Sequence, residues 1–158
     1  MGAHRLPSRF ERSFAYHLAR DTWLPTVVSQ ARLELPRTAE GPRRARLCVR
    51  EELGVRLREE EREILEALVT ELVSNAVAHS ERGPEGTVTL HMALAPERIR
   101  VEVCDGGVGF GLAELVKPRA EPGGYGLVMV DRAASRWGIA ADEGSCVWFE
   151  LDRSGSAG

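Results

Sequence analysis

Glu71 and Asn75 stand four residues apart in the run Glu71-Leu72-Val73-Ser74-Asn75-Ala76-Val77-Ala78-His79. On a helix that spacing sets a carboxylate and a carboxamide one turn apart on the same side. The carboxylate can orient or deprotonate a water or a hydroxyl. The amide oxygen is a hard ligand suited to Mg2+, which also takes phosphate oxygens and waters. Two glycine clusters follow, Asp105-Gly106-Gly107-Val108-Gly109 and Gly123-Gly124-Tyr125-Gly126-Leu127. Glycine permits positive φ and close backbone approach, and the amides of a helix N-terminus attract phosphate. Asp105 adds a second carboxylate, which if buried can accept a hydrogen bond from an exocyclic amino group such as that of adenine. In this order, the three stretches describe a nucleotide pocket.

Each stretch also has a plainer use. Asn75 would serve as a core amide bonded to backbone, as buried amides regularly do. His79 is better explained as a hydrogen-bonded histidine near a helix C-terminus than as a metal ligand, because no second histidine or cysteine stands at suitable spacing. Asp105 and its glycines would make a tight turn leaving a strand. The elements that carry these residues weigh between the two uses.

Residues 59–79 have the pattern of a helix. Placed at 100° steps from Ile64, the residues Ile64, Leu68, Leu72, Leu65, Ala76, Val69 and Val73 span about 0° to 180°, a broad buried face. Asn75 falls at about 20° and His79 at about 60°, inside that stripe, with Glu71 on its border at about 340°. Thr87 to Leu94 and Arg98 to Cys104 alternate as strands joined by a turn at Pro96. Asp105 continues the parity of Ile99, Val101 and Val103, so it points toward the helix layer, where a carboxylate needs a ligand or a donor. Residues 106–124 lack periodicity and form a long loop, and Tyr125 to Ala134 opens as a helix at the second glycine cluster. Trp137 to Ala141 and Cys146 to Leu151 make two final strands around a turn at Glu143-Gly144. Before the main helix, Arg32 to Leu35 makes a short strand stopped by Pro36, and Gly41 to Leu53 has helical periodicity. This order predicts an α+β two-layer sandwich, a mixed and mostly antiparallel sheet packed against about three helices.

At 158 residues the chain suits one domain. Its formal charge of -3 offers no basic excess, so direct nucleic-acid binding has no electrostatic support. No apolar run approaches the ~20 residues of a membrane span, and no secretory pattern follows the N-terminal arginines. Cys48, Cys104 and Cys146 lack metal-site spacing, and reduced thiols in a cytoplasm are the simplest expectation. Phe10, Phe14 and Leu18 recur every four residues, suggesting an amphipathic helix within an N-terminal extension, residues 1–32, that is partly helical or disordered. Residues 33–151 form the domain, and 152–158 a flexible tail.

The spacing fits neither a P-loop nor a Rossmann fingerprint. The chain instead resembles the GHKL (Bergerat-fold) ATPases, specifically the histidine-kinase-like domains of bacterial anti-sigma factor Ser/Thr kinases. Glu71 to His79 resembles that family's N box, Asp105-Gly-Gly107-Val-Gly109 its first glycine box, Gly124-Tyr-Gly126-Leu127 its second, and Gly144-Ser145-Cys-Val-Trp-Phe its terminal strand motif. The resemblance implies that Glu71 is the general base for a protein hydroxyl. It implies that Asn75 ligates Mg2+ on the ATP phosphates and that Asp105 binds the adenine amino group. Gly107 and Gly109 would shape the adenine side, Gly124, Gly126 and Leu127 the phosphate side, and Ser145 a supporting contact to Asp105 or adenine.

The partners implied are a sigma factor and an anti-sigma antagonist of the STAS type, with a possible homodimer, in the cytoplasm. One departure stands out: where the better-known anti-sigma kinases place an arginine before the second glycine box, this chain has Glu121-Pro122-Gly123. Positioned positive charge carries phosphoryl transfer, so the alternative is a nucleotide-responsive binding protein without transfer chemistry. A sensor histidine kinase would need a phosphoacceptor-histidine hairpin, and the residues before 59 show none.

Overall fold

The computed structural model describes residues 26–78, 86–105, 126–140 and 145–154. Its elements run β1 (Ser29–Pro36), α1 (Glu40–Cys48), α2 (Glu59–Ala78), β2 (Thr87–Leu94), β3 (Arg98–Asp105), α3 (Gly126–Ala133), β4 (Arg136–Ala140) and β5 (Ser145–Asp152). A wider helical turn, Val49–Leu53, and a tight one, Gly54–Arg56, link α1 to α2. The sheet order is β1-β2-β3-β5-β4, every neighbour antiparallel. One layer of helices on one antiparallel sheet is the predicted α+β sandwich.

The start of α2 follows from its charges. Glu59, Glu60 and Glu61 occupy the first turn, where the unpaired amides favour negative charge. Glu61 turns back to accept a hydrogen bond from the Arg58 backbone N–H at 2.9 Å, half of a capping box. Burial then raises the Glu61 carboxyl, but hydrogen bonds from Arg153 and Arg58 outweigh it and hold the group at about 2. Arg153 also donates to the carbonyls of Ala95, at 3.2 Å, and Arg56, at 3.0 Å, tying the end of β5 to the start of α2.

Leu65, Leu68, Val69, Leu72, Val73 and Ala76 of α2 pack with Val88, Leu90, Met92, Ile99, Val101, Val103 and Phe149 of the sheet. Ile64 lies outside this core, 43% exposed. The buried arc of α2 is therefore narrower than the periodicity suggests, and Asn75 stands at its border, half-buried, rather than inside it. Strand β1 is longer than expected and includes Pro36. It is an edge strand, where proline costs no ladder bond on its open side, and its exposed residues alternate with Ala31, Leu33 and Leu35 facing the core.

The second face of the sheet is unexpected. Thr89, His91, Arg100, Glu102 and Glu150 have the parity of a solvated face, yet all are buried. Arg100 pairs with Glu150 at 2.8 Å and lies over the Trp148 ring, 4.4 Å from its centroid. Cys104 and Cys146, direct partners across β3 and β5, are joined as a disulfide. The expectation of reduced thiols fails for this pair, which strand register brings together across 42 residues of sequence. Cys48 remains a free, buried thiol, raised to about 11 by burial and by the charges of Glu52 and Glu51. Among the described residues, no helix is long and apolar enough to cross a membrane.

Candidate nucleotide site

Four chain segments meet at one end of the sheet. Strand β1 ends at Pro36, paired with Thr87 at the start of β2, while Val88 pairs with Asp105 at the end of β3. Asp105 in turn faces Ser145, the first residue of β5. Strand parity holds to the last residue: Asp105 stays in the ladder and is 5% exposed, on the side of Ile99, Val101 and Val103. Ser145 is therefore next to Asp105 through the backbone ladder.

One donor to Asp105 is a residue that sequence reasoning missed. Arg37, immediately after β1, donates from Nη2 to Asp105 Oδ1, and both side chains are buried. Sixty-eight residues separate the two in sequence, and only the pairing of β1 with β2 and of β2 with β3 brings them together. A lone arginine one position beyond a strand carries no signal of that partnership.

Helix α2 reaches the same end through Gly41. A Cβ added at Gly41 would sit 2.6 Å from the Pro36 carbonyl oxygen, 3.4 Å from Val77 Cγ2 and 3.6 Å from Val73 Cγ1. Glycine there lets α1 close onto both the end of β1 and the last turns of α2. The turns carrying Glu71 and Asn75 thus belong to the end of the molecule that holds Arg37 and Asp105. Both Glu71 and Asn75 are half-buried, Glu71 one turn before Asn75. Helix α3 starts at Gly126, with Leu127 in its first turn, and packs on α2 through a buried face that includes Val130. His79, Gly107, Gly109 and Gly124 lie outside the described residues.

A cleft lined by Glu97, Arg98, Arg136, Asp152 and Arg153 lies elsewhere. Arg98 pairs with Asp152 seven positions along β3 from the Asp105–Ser145 pair, so the cleft is at the other end of the sheet, about 23 Å away. Its arginines are spent on neighbouring carboxylates: Arg136 on Glu150 and Asp152, and Arg153 on Glu61. It has no share in the site.

Chemically, the sheet end offers a buried carboxylate acceptor with a guanidinium beside it, and α2 offers an amide and a carboxylate at the border of the core. The amide oxygen of Asn75 is a hard ligand of the kind Mg2+ takes, and the residue is half-buried rather than sealed in the core.

No curated protein matches the chain. Among solved structures, the histidine kinase domain from the Erythrobacter litoralis EL346 blue-light activated histidine kinase is 21% identical, with a TM-score of 0.45 over 57% of this chain and 43% of that one. The chain thus spans less than half the length of that structure. The Acinetobacter baumannii histidine kinase AdeS is 12% identical, with a TM-score of 0.48 over 96% of this chain and 88% of that one. Similarity at these values does not transfer an activity. The family model for the histidine kinase-like ATPase domain matches residues 35–151, from the end of β1 through β5. With most of its length inside that match, the chain belongs to the histidine kinase-like ATPase domain family, of the GHKL type.

Proposed function

We propose that the chain binds Mg-ATP at the Asp105 end of the sheet and acts as an anti-sigma regulatory protein that phosphorylates a serine or threonine of its antagonist. The observation that carries the nucleotide reading is Asp105 itself, a strand-end carboxylate held inside the helix-facing layer where a core would place carbon. On this reading Asp105 accepts a hydrogen bond from the adenine amino group, with Ser145 beside it. Gly107 and Gly109 flank the base, and Gly124, Gly126 and Leu127 flank the phosphates. Asn75 would hold Mg2+, which when bound would supply positive charge beside the transferring phosphoryl group. Glu71 accepts the proton of the incoming hydroxyl as its oxygen attacks the terminal phosphorus and ADP leaves. The partners are a sigma factor and a STAS-type antagonist, with a second copy of the chain as a further partner.

The sequence Glu121-Pro122-Gly123 favours a second reading, nucleotide-gated partner binding without transfer, because no arginine precedes the second glycine cluster. Incubation with γ-labelled ATP and candidate antagonist proteins separates the two. Transfer abolished by Glu71→Ala, with ATP binding retained by calorimetry, supports the kinase. Tight Mg-ATP binding with no label transferred to any antagonist supports the binding regulator. In either case Asp105→Asn should weaken ATP binding by roughly tenfold or more, because the carboxylate-to-amino bond is lost; unchanged affinity removes the adenine role.

A further inference from the structure

The Arg37 side chain is 1% exposed, and Asp105 accounts for one of its nitrogens. Its Nε and Nη1 are buried and have no hydrogen-bond partner. A guanidinium carries five N–H donors, and buried donors are normally satisfied. If Arg37 served only as counter-charge to Asp105, backbone carbonyls would be expected to fill the rest of its fork.

The opposite wall is shaped around it. A Cβ at Gly86 would come within 2.8 Å of Arg37 Cδ and Nη1 and 2.9 Å of Cζ, and those three atoms are its nearest neighbours. Three separate positions therefore serve one group: Gly86 gives it space, Asp105 anchors one nitrogen, and the connection after β1 delivers it.

We propose that Arg37 is a second base-reading residue, whose unfilled N–H groups donate to the adenine ring nitrogen next to the amino group that Asp105 accepts. This rests on the nucleotide reading of the site. Adenine sets its amino donor between two acceptors, the ring nitrogens N1 and N7. A carboxylate with a guanidinium alongside is the complementary pair, acceptor beside donor. A carboxylate has about four lone-pair positions, so the bond from Arg37 does not by itself exclude the amino group. Asp105 selects for the amino group, and Arg37 selects for a basic ring nitrogen at its side.

The test begins with the unaltered protein and needs no variant to fold. Binding of ATP, 1-deaza-ATP and 7-deaza-ATP is measured by displacement of a fluorescent ATP analogue, each deaza compound replacing one ring nitrogen by C–H. One of the two should bind roughly ten- to a hundredfold more weakly than ATP, the loss expected when a charged donor is left unpaired. The same three ligands are then measured on Arg37→Lys, which keeps the charge but not the fork. They are also measured on the double variant Arg37→Met with Asp105→Asn, which leaves no buried charge uncompensated. The gap between ATP and the weaker analogue should shrink to within about threefold in both variants. Equal binding of all three ligands to the unaltered protein overturns the role of Arg37 while leaving the pocket intact. So does a gap that persists undiminished in the variants, or an ATP affinity that rises in Arg37→Lys, which would make the guanidinium a plug. No binding of ATP at all overturns the pocket reading and this role with it.

Discussion

Replacing Glu102 by glutamine should stabilise the protein, and by more as the pH rises. Glu102 is fully buried on the sheet face away from the helices. Its Oε2 has no hydrogen-bond partner, and the nearest cation among the described residues, Arg100, approaches it only to 4.0 Å because that guanidinium is committed to Glu150 at 2.8 Å. Its Oε1 lies 3.5 Å from Cys104 Sγ, but a disulfide sulfur has no proton to donate. Burial therefore pushes the carboxyl up from 4.5 to about 7, with Arg100 offsetting only part of the penalty.

The sign follows from proton counting. Between pH 4.5 and about 7 the folded protein holds a proton on Glu102 that the unfolded chain has lost, so stability falls as pH rises through that window and is level above it. From about pH 5 to about pH 8 the loss amounts to about 2.5 kcal/mol. Glutamine keeps the shape and does not titrate. Urea unfolding without reductant, run on both proteins across this range, should give nearly parallel stabilities at the acid end. By about pH 8 the Glu102→Gln protein should lead by an additional ~2 kcal/mol. A stability difference that is flat with pH refutes the argument, and one that shrinks as pH rises shows that Glu102 is ionised and paired in the fold.

Arg153→Met should cost about 2 kcal/mol at neutral pH, because it removes a charge-assisted partner of Glu61. Glu61 is held at about 2 against an ordinary 4.5, so its contribution is present above pH 4.5 and lost as pH falls toward 2; the deficit of the variant should narrow over that window in acid unfolding curves, leaving the part due to the Ala95 and Arg56 carbonyls. Gly41→Ala should lower stability by about 1–3 kcal/mol although alanine favours helix, since the new Cβ meets a backbone oxygen at 2.6 Å that has little room to retreat. A thermal midpoint unchanged or raised would show that the end of β1 gives way.

What was legible in the sequence is what rests on local periodicity. Helix α2 declares itself through twenty residues of phase, and Asp105 through three preceding residues of strand parity. The edges of those patterns were less secure. Ile64 shares the arc of Leu68 in projection, but the core closes around Leu65 to Ala76 and leaves it in solvent. Pairings across the sheet were invisible. Cys104 meets Cys146 and Arg37 meets Asp105 only because strand order and register bring them together, and neither appears in the spacing of one segment. The buried polar face was invisible for a related reason, because alternation in β2 and β3 identifies one apolar side and says nothing about what happens to the other.

Glu102 and Asp105 show how much depends on those unseen pairings. They lie three residues apart on β3, both nearly inaccessible, and strand parity sends them to opposite faces. Chemistry alone would treat two buried carboxylates alike. The difference lies in which cation is free to serve each. On the far face Arg100 is shared among Glu150, Trp148 and Glu102, and Glu102 receives the weakest contact of the three. On the helix face, Arg37 forms its one ion pair among the described residues with Asp105, and its Nε and Nη1 have no hydrogen-bond partner. A carboxylate starved of donors favours its proton, loses acceptor capacity and becomes a stability liability. Asp105 instead receives a guanidinium hydrogen bond directly. That asymmetry, rather than the glycine clusters, is the strongest physical reason to place a ligand at Asp105 and none at Glu102.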